Sequence, residues 1–141
     1  ILAWIATIDA FQHWIYTNPE HSRTERHDKW LELANKFGSI LDWSGFEDWR
    51  NISWQKQLHL FSYPFYYIEY GIAQLGALQM WLQYRDKPEK ALANYATAMR
   101  LGGSRPLPNL FEAGGMSFDL GRSTVQELID AVREELSKLP A

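Results

Sequence analysis

Large apolar side chains recur at helical spacing from the first residues of the chain: Trp4, Ile5, Ile8, Phe11 and Ile15. A stripe this broad predicts a helix over residues 1–17 that is apolar on most sides and hence buried. Asn18-Pro19 ends it. Ser22-x-x-Glu25 has the form of a capping box and opens a second helix, with Trp30, Leu33, Ala34 and Phe37 as its stripe and Gly38 as its stop. Over residues 39–58, Trp43, Phe46, Trp49 and Trp54 stand between Gly, Asp and Ser, which predicts short helical turns with the aromatics plugged into a core. A long apolar stretch without Pro then runs from about Phe65 to Tyr84. It is too long for a strand and predicts a central helix buried on most faces. Asp86-x-x-Glu89, with Pro88 near the first helical position, starts a further helix that ends at Gly102-Gly103. Pro106 to Gly121 reads as a loop-rich connection. Ser123-x-x-Gln126 caps a last helix whose Val125, Leu128, Ile129, Val132 and Leu136 share one face. No strand pattern occurs, so the fold class is all-α.

No linker or shift in composition divides the chain, so residues 1–141 read as a single helical unit. Pro88 to Leu92, with Tyr95, Ala98 and Leu101, resembles the second half of a tetratricopeptide unit, but a lone copy has no neighbour on which to bury its face. The 141 residues are 46% hydrophobic and 22% charged, a globular composition with room for a real core. Net charge is −3, with a pI near 5.8, which speaks against nucleic acid or an acidic membrane surface as partner. No apolar run approaches the roughly 18 residues needed to span a bilayer. Cysteine is absent, which removes disulfides, thiolate metal sites and cysteine catalysis, and a cytoplasmic address fits. The chain opens without Met on Ile1-Leu2-Ala3-Trp4-Ile5-Ala6, with no capping residue and none of the marks of a signal peptide. We read it as part of something longer.

The four histidines are His13, His21, His27 and His59. None is paired at i, i+4 and there is no His-Glu-x-x-His, so no zinc site is read within the chain. His21 and His27 flank a polar helix start and read as solvated. His13, beside Trp14, reads as a hydrogen-bonded core histidine. His59 differs because of its downstream neighbours: Tyr63, Tyr66, Tyr67 and Tyr70 fall within eight residues, where a loop broken by Pro64 enters the central helix. On a helix, Tyr66 and Tyr70 (i, i+4) and Tyr67 and Tyr70 (i, i+3) share roughly one face. Such a cluster can be an aromatic core plug with its hydroxyls bonded to backbone. It can also be a donor cluster, because neutral phenols and an imidazole N–H stabilise a carbonyl oxygen as it gains negative charge. Glu69, one residue off that face, reads as a buried structural partner.

Three stretches together resemble the C-terminal part of oligoendopeptidase F, a thimet-oligopeptidase-like zinc metallopeptidase family. They are Asp9 to Pro19, then His59 with Pro64 to Tyr70, and then Leu110 to Gly115 with Phe118-Asp119-Leu120 and the closing amphipathic helix. The likeness covers nearly the whole chain. It implies the C-terminal portion of a helical, bowl- or clam-shaped catalytic domain that cleaves short peptides in a deep channel. It also implies a zinc cofactor, whose His-Glu-x-x-His helix and third ligand would precede Ile1. What carries over to this chain is a histidine, matching His59, and downstream tyrosines that bind the substrate backbone and stabilise the tetrahedral intermediate. One register uses Tyr66 and Tyr70; a second uses Tyr63, Tyr67 and Tyr70. Tyr70, His59 and Tyr66 are accordingly the expected catalytic residues, and Tyr63 and Tyr67 the expected substrate-binding ones.

The chain alone is then expected to be inactive, with the upstream part of the same enzyme and short peptides as partners. The alternative is a standalone helical module that binds peptides or proteins without catalysis. A self-contained enzyme built on His59 fits worst, because Gly-x-Ser-x-Gly, cysteine and a clustered Asp pair are all missing. Apolar surface left without upstream helices predicts self-association through residues 1–17 or the central helix.

Overall fold

The computed structural model describes residues 1–38 and 41–140. Within these it holds eight α-helices and no strand: α1 (Leu2–Thr17), α2 (Arg23–Phe37), α3 (Glu47–Ile52), α4 (His59–Ser62), α5 (Ile68–Asp86), α6 (Pro88–Leu101), α7 (Leu107–Ala113) and α8 (Arg122–Leu136). A short 3-10 turn, Ser53–Lys56, follows α3. The fold is all-α, as the periodicity implies. The chain divides into two compact units, Ile1–Gly71 and Ile72–Ala141.

In the first unit α1 packs on α2. Ile5, Ile8 and Phe11 of α1 meet Trp30 and Leu33 of α2, with Trp54, Leu60 and Tyr67 completing the buried cluster. Each such side chain contributes about 1.5–3 kcal/mol when fully buried. The Phe11 ring lies 5.1 Å from Trp30 and 5.6 Å from Trp54, edge-on or tilted, as aromatic quadrupoles prefer. Trp30 Nε1 donates to the Arg50 carbonyl at 2.9 Å and so ties α2 to α3. The α2 capping box is complete: the Glu25 amide donates to Ser22 Oγ at 3.2 Å, and the Ser22 amide donates to the Glu25 carboxylate at 2.8 Å.

In the second unit Ile72 and Leu75 of α5, Ala91 and Ala98 of α6 and Leu128 of α8 are buried. Two glutamines of α5 hold the loop after α7. Gln83 donates to the carbonyls of Gly114 and Gly115 at 3.1 and 3.0 Å. Gln79 pairs with both backbone groups of Ser117 at 2.8 and 3.0 Å.

Several expectations change. Of the four aromatics expected as plugs over residues 39–58, only Trp54 is buried; Phe46 and Trp49 are 60% and 69% exposed. Ser39 and Ile40, which open that stretch, lie outside the described residues. The central helix is not buried on most faces, since Tyr70 and Tyr84 are exposed. The connection from Pro106 to Gly121 contains α7, because prolines in a first helical turn sacrifice no intrahelical hydrogen bond. Pro88 opens α6 as read, but Asp86 ends α5 and no side chain caps α6. Ser123 lies inside α8. Its start is organised by Asp119, which accepts from the Gly121 amide at 2.8 Å and from the Thr124 hydroxyl. Leu136 is exposed, so the apolar face of α8 ends before it.

Candidate functional site

The candidate residues all lie in the first unit. After the 3-10 turn, Gln57 and Leu58 lead into α4, a single turn beginning at His59. Tyr63 closes that turn, its amide donating to the His59 carbonyl at 3.1 Å. The chain then reverses at Pro64-Phe65. Phe65 holds a left-handed backbone (φ 59°), a conformation that costs a non-glycine residue roughly 1–3 kcal/mol and persists only where its surroundings hold it. Here they do. Its amide donates to Oε1 of Gln12 at 2.9 Å, and Gln12 is fully buried in α1. Its ring sits 5.0 Å from His13 and 4.9 Å from Tyr16.

This reversal delays the central helix to Ile68, so Tyr66 and Tyr67 precede α5 and only Tyr70 is on it. The expected face-sharing nevertheless survives. The Glu69 amide donates to the Tyr66 carbonyl and the Tyr70 amide to that of Tyr67, at 3.0 and 3.3 Å, which keeps these residues one turn apart. The Tyr66 and Tyr70 rings are 5.8 Å apart and the Tyr67 and Tyr70 rings 5.2 Å.

His59 stands among all four tyrosines. Its ring centroid is 6.1, 6.2, 4.9 and 5.6 Å from those of Tyr63, Tyr66, Tyr67 and Tyr70. Its Nε2 lies 3.2 Å from the Tyr70 hydroxyl. Exposure separates the group. Tyr63, Tyr66 and Tyr70 are 58%, 49% and 42% exposed, whereas Tyr67 is 8% exposed and belongs to the core cluster.

Two residues that the sequence did not mark as site candidates complete the network. Gln57 Nε2 lies 2.7 Å from His59 Nδ1, and Trp4 Nε1 donates to Gln57 Oε1 at 3.3 Å. Gln12 is a third such residue. A buried glutamine on an apolar helix was the available signal for it.

The other candidates lie elsewhere or behave differently. His13 is exposed, with Nδ1 at 2.9 Å from the Asp9 carbonyl, so it is not a core histidine. His21 is half-buried rather than solvated, because Arg26 Nε donates to its Nε2 at 2.8 Å and its ring packs on Trp14. Glu69 is exposed rather than buried. Among the described residues no group of three His, Asp or Glu side chains is placed to hold a metal ion. An open cleft of about 450 Å³ is lined by Tyr16, Arg26, Trp54 and Phe61 among others, and by none of the five candidates. Chemically, the His59–tyrosine cluster offers hydroxyl and imidazole hydrogen-bonding groups, with Tyr63, Tyr66 and Tyr70 exposed, suited to an oxygen that gains negative charge.

The profile of peptidase family M3 matches residues 2–128. The chain belongs to this family. Two solved peptidase structures share its fold. One, a PZ peptidase A with an inhibitor, has a TM-score of 0.90 and 30% identity, over 98% of this chain and 25% of its own. The other, provisionally named oligoendopeptidase F, has a TM-score of 0.83 and 28% identity over the same shares. This M3 chain therefore spans about a quarter of the length of either peptidase. No curated protein matches it. The resemblance read from the sequence thus holds at the level of family M3 and of a helical peptidase fold.

Proposed function

We propose that these residues form the substrate-facing part of a metallopeptidase of the oligoendopeptidase F kind, one that hydrolyses short peptides. Tyr66 and Tyr70 donate hydrogen bonds to the tetrahedral intermediate, His59 acts with them through its contact with the Tyr70 hydroxyl, and Tyr63 and Tyr67 border the substrate. The observation that carries this reading is the exposed His59 Nε2–Tyr70 Oη pair at 3.2 Å, on the segment that carries the family resemblance.

The family is generally zinc-dependent, but the side chains among the described residues do not fit a zinc site. The resemblance assigns the ligands and the general base to residues outside this chain. On this reading the chain alone is inactive.

The chemistry left to it is electrostatic. A phenol held in place before reaction by an imidazole needs no reorganisation when the carbonyl oxygen becomes anionic. Removing one such donor typically costs about 10²–10³ in kcat. Phe substitutions test this in the full-length gene product. Tyr70→Phe should lower kcat by about that factor with KM little changed, the pattern of an interaction made only in the transition state. The burial of Tyr67 supports the register that pairs Tyr66 with Tyr70, so Tyr66→Phe should cost more than Tyr67→Phe. The reverse order would transfer the role to Tyr67. Undiminished kcat in Tyr70→Phe, or cleavage by the 141-residue chain alone, would defeat the proposal.

A further inference from the structure

We infer that Trp4 and Gln57 form a relay that sets the tautomer of His59 and thereby keeps the Tyr70 hydroxyl proton available to substrate; this rests on the function proposed above. The pairing of donors with acceptors fixes each group in turn. An indole N–H can only donate. Trp4 Nε1 lies 3.3 Å from one end of the Gln57 amide, so that end must be the carbonyl oxygen. The amide is thereby fixed the other way round toward His59, presenting its NH₂ to Nδ1 at 2.7 Å. Nδ1 must then accept. In a neutral imidazole one nitrogen accepts and the other carries the proton, so the proton sits on Nε2. Nε2 faces the Tyr70 hydroxyl at 3.2 Å and donates to its oxygen. That oxygen, filled from the His59 side, directs its own hydrogen away from the imidazole. Tyr70 is 42% exposed, so an incoming oxygen can reach it.

The opposite tautomer would undo this. With the proton on Nδ1, Nε2 would be an acceptor and would take the Tyr70 O–H for itself, turning the phenol from a donor to substrate into a donor to histidine. Gln57 is thus a positioning residue. It lies one residue from the α4 turn, and the Trp4 side chain that orients it comes from α1, 53 positions away in sequence. The donation of Nε2–H to the phenol oxygen also makes the phenol a stronger donor, because hydrogen bonds in a chain polarise one another.

The test uses the full-length gene product and two readouts. Imidazole ¹⁵N shifts of His59 at alkaline pH report its tautomer directly. Wild type should show the proton on Nε2. Gln57→Glu keeps the shape but replaces the NH₂ donor by a carboxylate oxygen, which should draw the proton to Nδ1. Gln57→Leu removes the partner and should give a mixture. In kinetics Gln57→Glu should lower kcat by about tenfold to a hundredfold, the range seen when a partner that orients a metal-ligating histidine is lost, with KM little changed. Gln57→Leu should fall between it and wild type. Trp4→Phe, which frees the amide to turn over, should shift the tautomer partly in the same direction. Unchanged thermal unfolding of Gln57→Glu serves as the control for folding. A wild-type His59 already protonated on Nδ1, or a Gln57→Glu enzyme as active as wild type while Tyr70→Phe is impaired, would overturn the relay alone. Loss of the effect in Tyr70→Phe itself would instead overturn the donor role on which the relay depends.

Discussion

Gln12 shows how a single polar side chain inside an apolar helix can shape a distant loop. Its Oε1 is the acceptor for the Phe65 amide at 2.9 Å, and Phe65 is the non-glycine residue held at φ 59°. An amide shielded from water and deprived of its acceptor costs up to roughly 1–3 kcal/mol, and this bond is part-buried. Gln12→Leu should therefore lower the stability of the protein by about that amount, read from the urea midpoint. Equal stability of wild type and Gln12→Leu would show that the turn holds itself. The same residue marks the limit of what the sequence discloses at this scale. His59 and the four tyrosines were legible because chemically distinctive side chains lie close together in a segment resembling a known family. Gln12, Gln57 and the polar role of Trp4 were not, since the Gln12–Phe65 and Trp4–Gln57 contacts span 53 positions and helical spacing reads Trp4 only as an apolar position. His13 and Glu69 were misplaced for a related reason. Both sit in apolar neighbourhoods of the sequence, yet the side of the helix they occupy is the exposed one.

At the level of elements, helix ends decide where the site residues stand, and α2 offers the clearest titratable end. The Glu25 carboxylate accepts from the Ser22 amide, at 2.8 Å, and from the Ser22 hydroxyl, at 2.7 Å. The backbone bond, and then the hydroxyl, hold its carboxyl below the usual glutamate range. A folded-state value lowered in this way adds stability above the ordinary glutamate range, and that stability is lost as pH falls through the lowered value. Wild type should therefore be more stable than Glu25→Gln near neutrality, with the difference closing in acid, as measured by urea midpoints across pH. A gap between the two that is constant with pH would show that the carboxylate contributes nothing through its charge. The capping box was legible because both partners belong to one local pattern. The start of α8 was not. Asp119, two residues ahead of the Gly121 cap position, makes the local bonds, so Ser123-x-x-Gln126 matched the pattern of a cap without its geometry. Helix α7 was hidden by Pro106 and Pro108, which look like breakers when they are not recognised as the cap and a first-turn residue.

For the whole molecule, the all-helical class and the M3 family were both within reach of the sequence, because they depend on periodicity and motif order over most of its length. The division at Gly71–Ile72 left no compositional trace, since it falls inside α5, where helical spacing continues without a linker. The surface is informative as well. Soluble monomers rarely expose large contiguous apolar patches, and such patches commonly mark contacts with other chains. Residues 41–49 present Leu41, Phe46 and Trp49 at 65%, 60% and 69% exposure, more than the tyrosines of α5 present and without the buried core positions of α1. If this 141-residue chain is prepared alone, these side chains should make it self-associate, with an apparent mass by light scattering that rises with concentration. Phe46→Ser combined with Trp49→Ser should reduce that rise, whereas a change at Tyr84 should leave it as it was. A monomer that persists at high concentration would mean that the exposed rings are tolerated by water, and the expectation of an association face would fall with it.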